Sequence, residues 1–151
     1  MKIFWPLMSI LTAAGIFYSS SIPGEHSGNA SMNIAMWVRN LVPLEPYTMN
    51  FLVRKTAHFT VYFALGFFVV NSLKYHVTNT RSLFAAAWGI AALYGVFDEI
   101  HQYFVPGREC AIRDMLINAA GALAGVLTFL IGGRVVMAYL KRKALNSGTM
   151  I

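Results

Sequence analysis

Charge is scarce in this sequence. Only 12% of its 151 residues are Asp, Glu, Lys or Arg, whereas 57% are hydrophobic. Soluble globular domains carry about twice that charged fraction, so the composition excludes an ordinary soluble domain. The length has room for one domain, and we predict a single integral membrane domain over residues 1–151.

Several catalytic signatures are also missing. The single cysteine, Cys110, cannot form an internal disulfide. The sequence contains no G-x-x-x-x-G-K-[ST], no H-E-x-x-H and no paired-cysteine motif. These absences remove the usual signatures of nucleotide binding, zinc peptidase chemistry and thiol redox exchange.

The sequence does contain four long apolar runs without charge. They are residues 3–18, 57–73, 82–97 and 115–133. Each has roughly 16 to 19 residues, near the lower limit for a helix that crosses about 30 Å of hydrocarbon. Because no run alternates with a two-residue period, we predict an all-α integral membrane four-helix bundle. The predicted helices cover about residues 3–21, 55–73, 82–104 and 114–133.

The first run has an alternative interpretation as a cleaved signal peptide. Lys2 precedes it, and the small residues Ser19–Ser21 follow it. Residues 20–23 form no good A-x-A cleavage site, so we favour a retained helix.

One long connection, residues 23–52, joins the first two predicted helices. Its segment Asn33–Val42 is apolar enough to lie at the membrane interface, with Trp37 as an anchor. Pro43 and Pro46 would end such a segment. The alternatives are an interfacial or re-entrant segment on the outer face and a plain loop.

The basic residues predict the orientation of the chain. If both termini are cytoplasmic, seven basic residues lie inside and five outside, a weak positive-inside bias. The inner residues are Lys2, Lys74, Arg81, Arg134, Lys141, Arg142 and Lys143, and the outer ones are Arg39, Arg54, Lys55, Arg108 and Arg113. All six acidic residues then lie outside. The tail 134–151 would therefore be cytoplasmic and face anionic lipid, and we predict no nucleic-acid partner.

Polar residues of all four predicted helices lie at one depth. Counting from the basic residue near the inner end of each helix places them about 24 to 26 Å above the inner interface. These residues are Ser19, His58, Asp98 and Asn118. An ionisable group at such a depth costs at least about 2.5 kcal/mol unless it is paired or hydrated, and it therefore usually marks a functional site.

Four of the six acidic residues fall in one segment, Phe97–Asp114. The turn Val105–Gly107 is predicted to fold Arg108 back toward Asp98 and Glu99. We interpret Asp98, Glu99, His58 and Arg108 as a site. Other charged residues are explained equally well as snorkelling side chains at helix ends, namely Arg54, Lys55, Glu109 and Arg113. The G-x-x-x-G at residues 121–125 predicts close helix packing.

The stretches "RKTAHFTVYFALG" and "DEIHQYFVPGRECAIRDMLINAAGALAG" resemble the VanZ-like family. These small bacterial membrane proteins are named for an accessory protein that lowers sensitivity to teicoplanin. The shared motifs are Lys-x-x-His with Tyr one turn on, Asp-Glu-x-x-Gln, a Pro-Gly-Arg turn, and Asp before a small-residue helix. The polar set that the resemblance implies is Lys55, His58, Tyr62, Asp98, Glu99, Gln102, Arg108, Asp114 and Gly121.

The chain departs from the family pattern at two positions. Many relatives have an acid directly before the helix-two tyrosine, where this chain has Val61. Many also have Asp where it has Asn118. Neither position can be essential as an acid in this protein.

The function that we favour is recognition or transport of an anionic envelope lipid, such as a polyprenyl phosphate or a lipid-linked wall precursor. The resemblance implies a contribution to teicoplanin resistance. Arg108, Lys55 and His58 would hold the phosphate, and Asp98 and Glu99 would orient those cations. The full predicted ligand-binding set is Lys55, His58, Tyr62, Asp98, Glu99, Gln102, Arg108, Asp114 and Asn118.

Two other functions stay open at this point. An enzyme acting on lipid phosphates would use His58, Glu99 and Asp98 as its catalytic residues, with Arg108 stabilising developing charge. It could take a divalent cation between Asp98, Glu99 and Asp114 as its cofactor. No nucleophile stands out, which counts against catalysis. Alternatively, the charges only lock a bundle that serves as a structural subunit or adaptor.

Overall fold

The computed structural model describes residues 3–39, 42 and 44–146. Within them the chain forms five helices and no strand, which confirms the all-α prediction. The helices are α1 (Phe4–Ser21), α2 (Gly24–Arg39), α3 (Pro46–Leu73), α4 (Thr80–Tyr103) and α5 (Ile112–Asn146). Helices α1, α3, α4 and α5 pack together as the predicted bundle, and α2 packs against α3.

Three helices are long and apolar enough to cross a membrane on their own: α3, α4 and, over Ile112–Leu140, α5. Helix α1 meets the same test only together with α2, to which it is joined through a bend of 108°. The fold therefore offers three spans, or four when α1 and α2 count as one bent unit. The orientation of the termini stays a prediction, and one residue used for it, Lys2, lies outside the described residues.

Helix α3 begins earlier than the sequence pattern predicts. The Glu45 side chain accepts a hydrogen bond from the Thr48 backbone N–H at 3.0 Å, and Pro46 occupies the first turn. Both features favour a helix start. The hydrogen bonds from the backbone N–H groups of Thr48 and Tyr47 lower the pKa of the Glu45 carboxyl. Pro46 thus begins α3 rather than ending the preceding segment, while Pro43 lies outside the described residues.

The connection predicted at residues 23–52 is helical over more than half its length. Helix α2 occupies Gly24–Arg39. Ala35 is buried on one side, whereas Trp37 is 69% exposed. An exposed tryptophan on a helix that bends sharply away from α1 suits the membrane interface, which stays the predicted location of this segment.

Helices α3 and α5 approach each other through glycine. A Cβ atom at Gly121 would lie 2.4 Å from the Phe59 carbonyl oxygen, and one at Gly125 would lie 2.1 Å from the Phe63 carbonyl oxygen. From the other side, a Cβ at Gly66 would lie 2.3 Å from the Ala122 carbonyl oxygen. The close packing predicted from G-x-x-x-G is confirmed, because no larger residue fits at these crossings without separating the helices.

The two ends of the bundle hold different groups. We call the end with the α4–α5 turn, residues 104–111, the outer end, and the end with the α3–α4 turn, residues 74–79, the inner end. The names follow the predicted orientation. The candidate site lies at the outer end, because both α4 carboxylates fall in the last turns of that helix.

Candidate functional site

Helix α4 brings two adjacent carboxylates into the interior of the bundle. Asp98 is 2% exposed and Glu99 is 0% exposed. Successive residues of a helix point about 100° apart, so the two side chains enter different surroundings. Each carboxylate therefore has its own hydrogen-bond network.

The Glu99 network joins α4 to α3 and α5. Glu99 Oε2 accepts from the Ala111 backbone N–H at 3.2 Å, and Oε1 accepts from Asn118 Nδ2 at 3.5 Å. His58 Nδ1 donates to Asn118 Oδ1 at 3.1 Å and lies 4.0 Å from Glu99 Oε1. Asn118 thus bridges the histidine and the carboxylate, using its amide as acceptor and donor at once. An aspartate there could not donate, and it would add a third carboxylate to the buried cluster.

The Asp98 network joins α4 to α1. Gln102 Nε2 donates to Asp98 Oδ2 and to Ser20 Oγ, each at 3.1 Å. The second oxygen, Asp98 Oδ1, and Tyr62 Oη are both buried and lie close enough to each other to interact, although no hydrogen bond of good geometry joins them. Buried polar atoms are rarely left without a partner, and a small movement of either side chain would let the Tyr62 hydroxyl donate to Asp98 Oδ1.

Arg108 caps the end of α1. Its Nε donates to the Ile22 carbonyl oxygen at 3.1 Å, and its Nη2 donates to the Ser19 carbonyl oxygen at 2.9 Å. A cation is favourable there because the last carbonyls of a helix carry partial negative charge. Burial lowers the pKa of Arg108, and the largest effect of any neighbouring charge comes from Arg54.

These contacts correct one prediction. Over the described residues no carboxylate lies within ion-pairing distance of Arg108. The Arg108 guanidinium is oriented by backbone carbonyls and not by Asp98 and Glu99. Such acceptors carry no signature in the sequence, since every residue has a carbonyl group.

The α4–α5 turn holds Arg108 in place by backbone packing. Gly107 has a φ of 71°, a conformation that glycine adopts readily. The Gly24 N–H donates to the Pro106 carbonyl oxygen at 2.9 Å. A Cβ atom on Gly24 would lie 1.7 Å from the Gly107 carbonyl oxygen. The start of α2 and the Pro-Gly-Arg turn therefore fit together only without side chains.

Lys55 and Asp114 form an ion pair that ties α3 to the first turn of α5. The side chains are only 16% and 12% exposed, so the pair is shielded from water. The charge of Lys55 is therefore largely neutralised by Asp114. Lys55 lies near enough to His58 to act on it, but it does so as one half of an ion pair and not as the free cation that was predicted.

A cleft of about 530 Å³ opens between α1, α3 and α4. We call it the lateral cleft. Along the bundle its walls are small or apolar, with Gly15, Ile16, Val61 and Ala64 among them. Toward the outer end it is polar, and there its lining includes Ser19, His58, Tyr62, Asp98, Gln102 and Arg108. Gly15, Ser19 and Val61 are exposed, so the cleft is open at its edge.

A second cavity of about 360 Å³ lies between the start of α3, the α4–α5 turn and the start of α5. We call it the outer pocket. Its charged members are Arg54, Lys55, Glu109, Arg113 and Asp114. Sequence reasoning missed the contributions of Tyr47, Asn50 and Phe51, because it placed these residues in a loop before the helix. An acidic residue followed by proline, Glu45-Pro46, is typical of a helix start and could have placed these three residues in α3.

The divalent cation raised for the enzyme alternative would need Asp98, Glu99 and Asp114 to act together. No group of three His, Cys, Asp or Glu side chains is arranged to hold a metal ion in the described part of the chain. Asp114 pairs with Lys55, and Glu99 faces Asn118 and Ala111, so the three carboxylates do not converge.

The nucleophile candidates Ser19, Ser20 and Ser21 fall at the end of α1, as their depth predicts. Ser19 and Ser21 donate to carbonyl oxygens of their own helix, and Ser20 accepts from Gln102. Within the described residues none of the three forms a hydrogen bond with His58 or with a buried carboxylate. A serine activated by a neighbouring base is therefore not assembled here.

Comparison with known families agrees with the motifs. The VanZ/LLP1 family model matches residues 5–133, which include the whole predicted polar set. No curated protein and no solved structure matches the chain. Because the family match covers most of the sequence and at least three helices can cross a bilayer, this chain belongs to the VanZ/LLP1 family and is a VanZ-like membrane protein.

Proposed function

We propose that the protein recognises or transports an anionic lipid, such as a polyprenyl phosphate or a lipid-linked wall precursor, in the lateral cleft. The observation that carries the proposal is the polarity of this cleft. Its long wall is mostly small or apolar, and its outer end holds Arg108, His58 and Asp98. An amphiphile has the same division into an apolar tail and a charged head.

The tail would lie along α1 and α3. A Cβ atom added to Gly15 would have nothing within 4 Å, so the cleft beside this residue is empty space. Val61 on the opposite wall is 40% exposed. Family members with an acid at this position would present a charge to the tail, whereas Val61 keeps the wall apolar.

The head would lie between Arg108 and His58. Two N–H groups of the Arg108 fork bind carbonyl oxygens, and within the described residues the others have no partner. His58 Nδ1 donates to Asn118, which leaves Nε2 to accept a proton from a phosphate monoester or, once protonated, to donate to it. Asp98 repels a phosphate, so the anion would stay on the Arg108 side and Asp98 Oδ1 would accept from a hydroxyl group or water.

The substitution Gly15→Leu tests the tail site by filling it. We expect binding of a polyprenyl monophosphate to purified protein in phosphatidylcholine nanodiscs to weaken by at least about tenfold, measured by native mass spectrometry. Gly89→Leu is the matched control, because a Cβ there also meets nothing within 4 Å but lies outside the lateral cleft. Equal affinity in wild type and Gly15→Leu would refute the proposal.

A contribution to glycopeptide resistance belongs to the same proposal and is supported by the family alone. Deletion of the gene is expected to raise teicoplanin sensitivity of the host, and Gly15→Leu should fail to restore it where Gly89→Leu succeeds. If Gly15→Leu restores resistance fully, resistance does not depend on lipid binding in the lateral cleft.

A second candidate, an enzyme acting on lipid phosphates, is favoured by one observation. The hydrogen bond from His58 Nδ1 to Asn118 fixes the tautomer that leaves Nε2 as a base beside the cleft. Purified protein would then convert a radiolabelled polyprenyl phosphate to product, and His58→Gln would abolish turnover. Binding without product over long incubation would exclude catalysis on that lipid.

A further inference from the structure

The lateral cleft and the outer pocket share one wall residue. Gln102 lines both cavities, and it is 4% exposed. Its amide is held by Asp98 and Ser20, so this buried side chain forms part of the wall between the polar end of the cleft and the pocket. A ligand bound in the cleft therefore has its head group next to the outer pocket.

The outer pocket has an excess of positive charge. Asp114 is neutralised by Lys55, and this leaves Arg54 and Arg113 against the exposed Glu109. The Arg113 guanidinium lies 4.7 Å from the centre of the Phe51 ring, which fixes its position by a cation–π contact. Neither arginine forms an ion pair within the described residues. Both remain available to bind an anion.

The two cavities also bring two arginines together. Arg108 lines the cleft and Arg54 lines the pocket, on the two sides of the wall to which Gln102 belongs, and the positive charge of Arg54 reaches Arg108. Two like charges repel each other, whereas an anion bound between them is attracted to both. Arginine is suited to this because its planar fork binds phosphate oxygens in pairs.

We propose that the outer pocket is a second anion subsite, so that cleft and pocket together bind a diphosphate, with one phosphate at Arg108 and the other at Arg54 and Arg113. The inference rests on the proposed function for the lipid tail and names the class of head group. The same chemistry would bind free pyrophosphate, and the test separates the two sources. A monophosphate reaches only one of the two arginine sites.

The test compares four probes on purified protein in phosphatidylcholine nanodiscs: polyprenyl monophosphate, polyprenyl diphosphate, inorganic phosphate and inorganic pyrophosphate. Wild type is expected to bind the diphosphate lipid at least about tenfold more tightly than the monophosphate lipid. In Arg54→Gln the ratio of diphosphate to monophosphate affinity should fall to near one, while the affinity for the monophosphate lipid stays as in wild type. Arg113→Gln should weaken it in the same direction.

Arg81→Gln is the matched control, because Arg81 is an exposed arginine in the first turn of α4, at the other end of the bundle. It should keep the full preference. Arg54→Lys keeps the positive charge but lacks the planar guanidinium, and it replaces Arg54→Gln in the test if that variant does not fold. It should keep part of the preference for the diphosphate lipid.

Each outcome decides between the proposals. Equal binding of the two lipids by wild type, or an unchanged preference in Arg54→Gln and Arg113→Gln, overturns the diphosphate site while the proposed lipid function stands. If neither lipid binds but pyrophosphate binds and Arg54→Gln abolishes it, the lipid function falls and the subsite binds a soluble diphosphate. No binding of any of the four probes overturns both.

Discussion

The two ends of the bundle each hold a lysine, and they use it differently. At the inner end, Lys74 Nζ donates to Asn71 Oδ1 at 2.8 Å and lies over the rings of Trp5, Tyr75 and Phe129 at 5.2 to 5.4 Å. Aromatic faces and an amide surround it, and no carboxylate is needed. At the outer end, Lys55 pairs with Asp114 beside a cavity.

The comparison teaches that charge alone does not identify the site. What distinguishes the outer end is the combination of two cavities with buried polar atoms, at Asp98, Tyr62 and Asn50, that form no hydrogen bond of good geometry within the described residues. At the inner end, Trp5 Nε1 is also buried without a partner. It lies among aromatic rings, however, and lines neither the lateral cleft nor the outer pocket.

The labelling of Cys110 tests which end faces out, and its expected effect is all or none. Cys110 is exposed in the α4–α5 turn. An impermeant thiol reagent should label it completely in intact cells. A Cys110→Ser/Ser82→Cys variant moves the thiol to the exposed start of α4 and should be labelled only after lysis. The reverse pattern would invert the orientation and exchange the names of the two ends.

Gly125→Leu should break the bundle on which both ends depend. The new side chain would meet the Phe63 carbonyl at the α3–α5 crossing, so we expect a loss of more than about 3 kcal/mol in unfolding free energy. Unfolding in mixed micelles by sodium dodecyl sulfate, followed by circular dichroism, measures it. Gly132→Leu, where an added Cβ meets nothing within 4 Å, should stay near wild type. A tolerated Gly125→Leu would contradict the close crossing.

The two lysines can be compared directly by substitution with methionine. Lys55→Met leaves Asp114 shielded and unpaired, so it should cost about 3 kcal/mol in the same assay. Lys74→Met removes an amide hydrogen bond and cation–π contacts without stranding a carboxylate, and should cost about 1 kcal/mol. The double variant Lys55→Met/Asp114→Leu should recover most of the loss. If Lys55→Met and Lys74→Met lose the same unfolding free energy, the two lysines do not differ in the way proposed.

Glu45→Ala is expected to give the smallest change, because the carboxyl is exposed at the N-terminus of α3. Its folded-state pKa is below the ordinary value, so its contribution is fully present above the unfolded pKa and is lost as pH falls through the folded pKa. The difference between wild type and Glu45→Ala in unfolding midpoint should therefore shrink between about pH 5 and pH 3. Glu25→Ala, an exposed acid in the first turn of α2, serves as control. A difference independent of pH would argue against the cap.

Much of this architecture could be predicted from the sequence. Hydrophobic run length predicted four of the five described helices, although α3 begins before and α5 ends after the predicted bounds. Counting along each helix placed Asp98, His58 and Asn118 at a common depth. The small residues at 121 and 125 indicated the crossing, since glycine spacing reports directly on close packing.

Other features could not be predicted, for physical reasons. Depth and face are properties of one helix, but the rotation of one helix against another decides that Asn118 meets His58 and that Asp114 meets Lys55. Arg108 binds carbonyl groups, which every residue offers. The helicity of α2 was hidden because its polar first half lacks an apolar period.

The contact of Gly24 with Gly107 has a mechanical consequence. Because the two backbones touch without intervening side chains, a movement of the first residue of α2 would press on the residue before Arg108. A helix lying in the bilayer surface feels changes in lipid packing and curvature. If α2 lies at the membrane interface as predicted, a tilt of α2 would be passed through Gly24 toward Arg108.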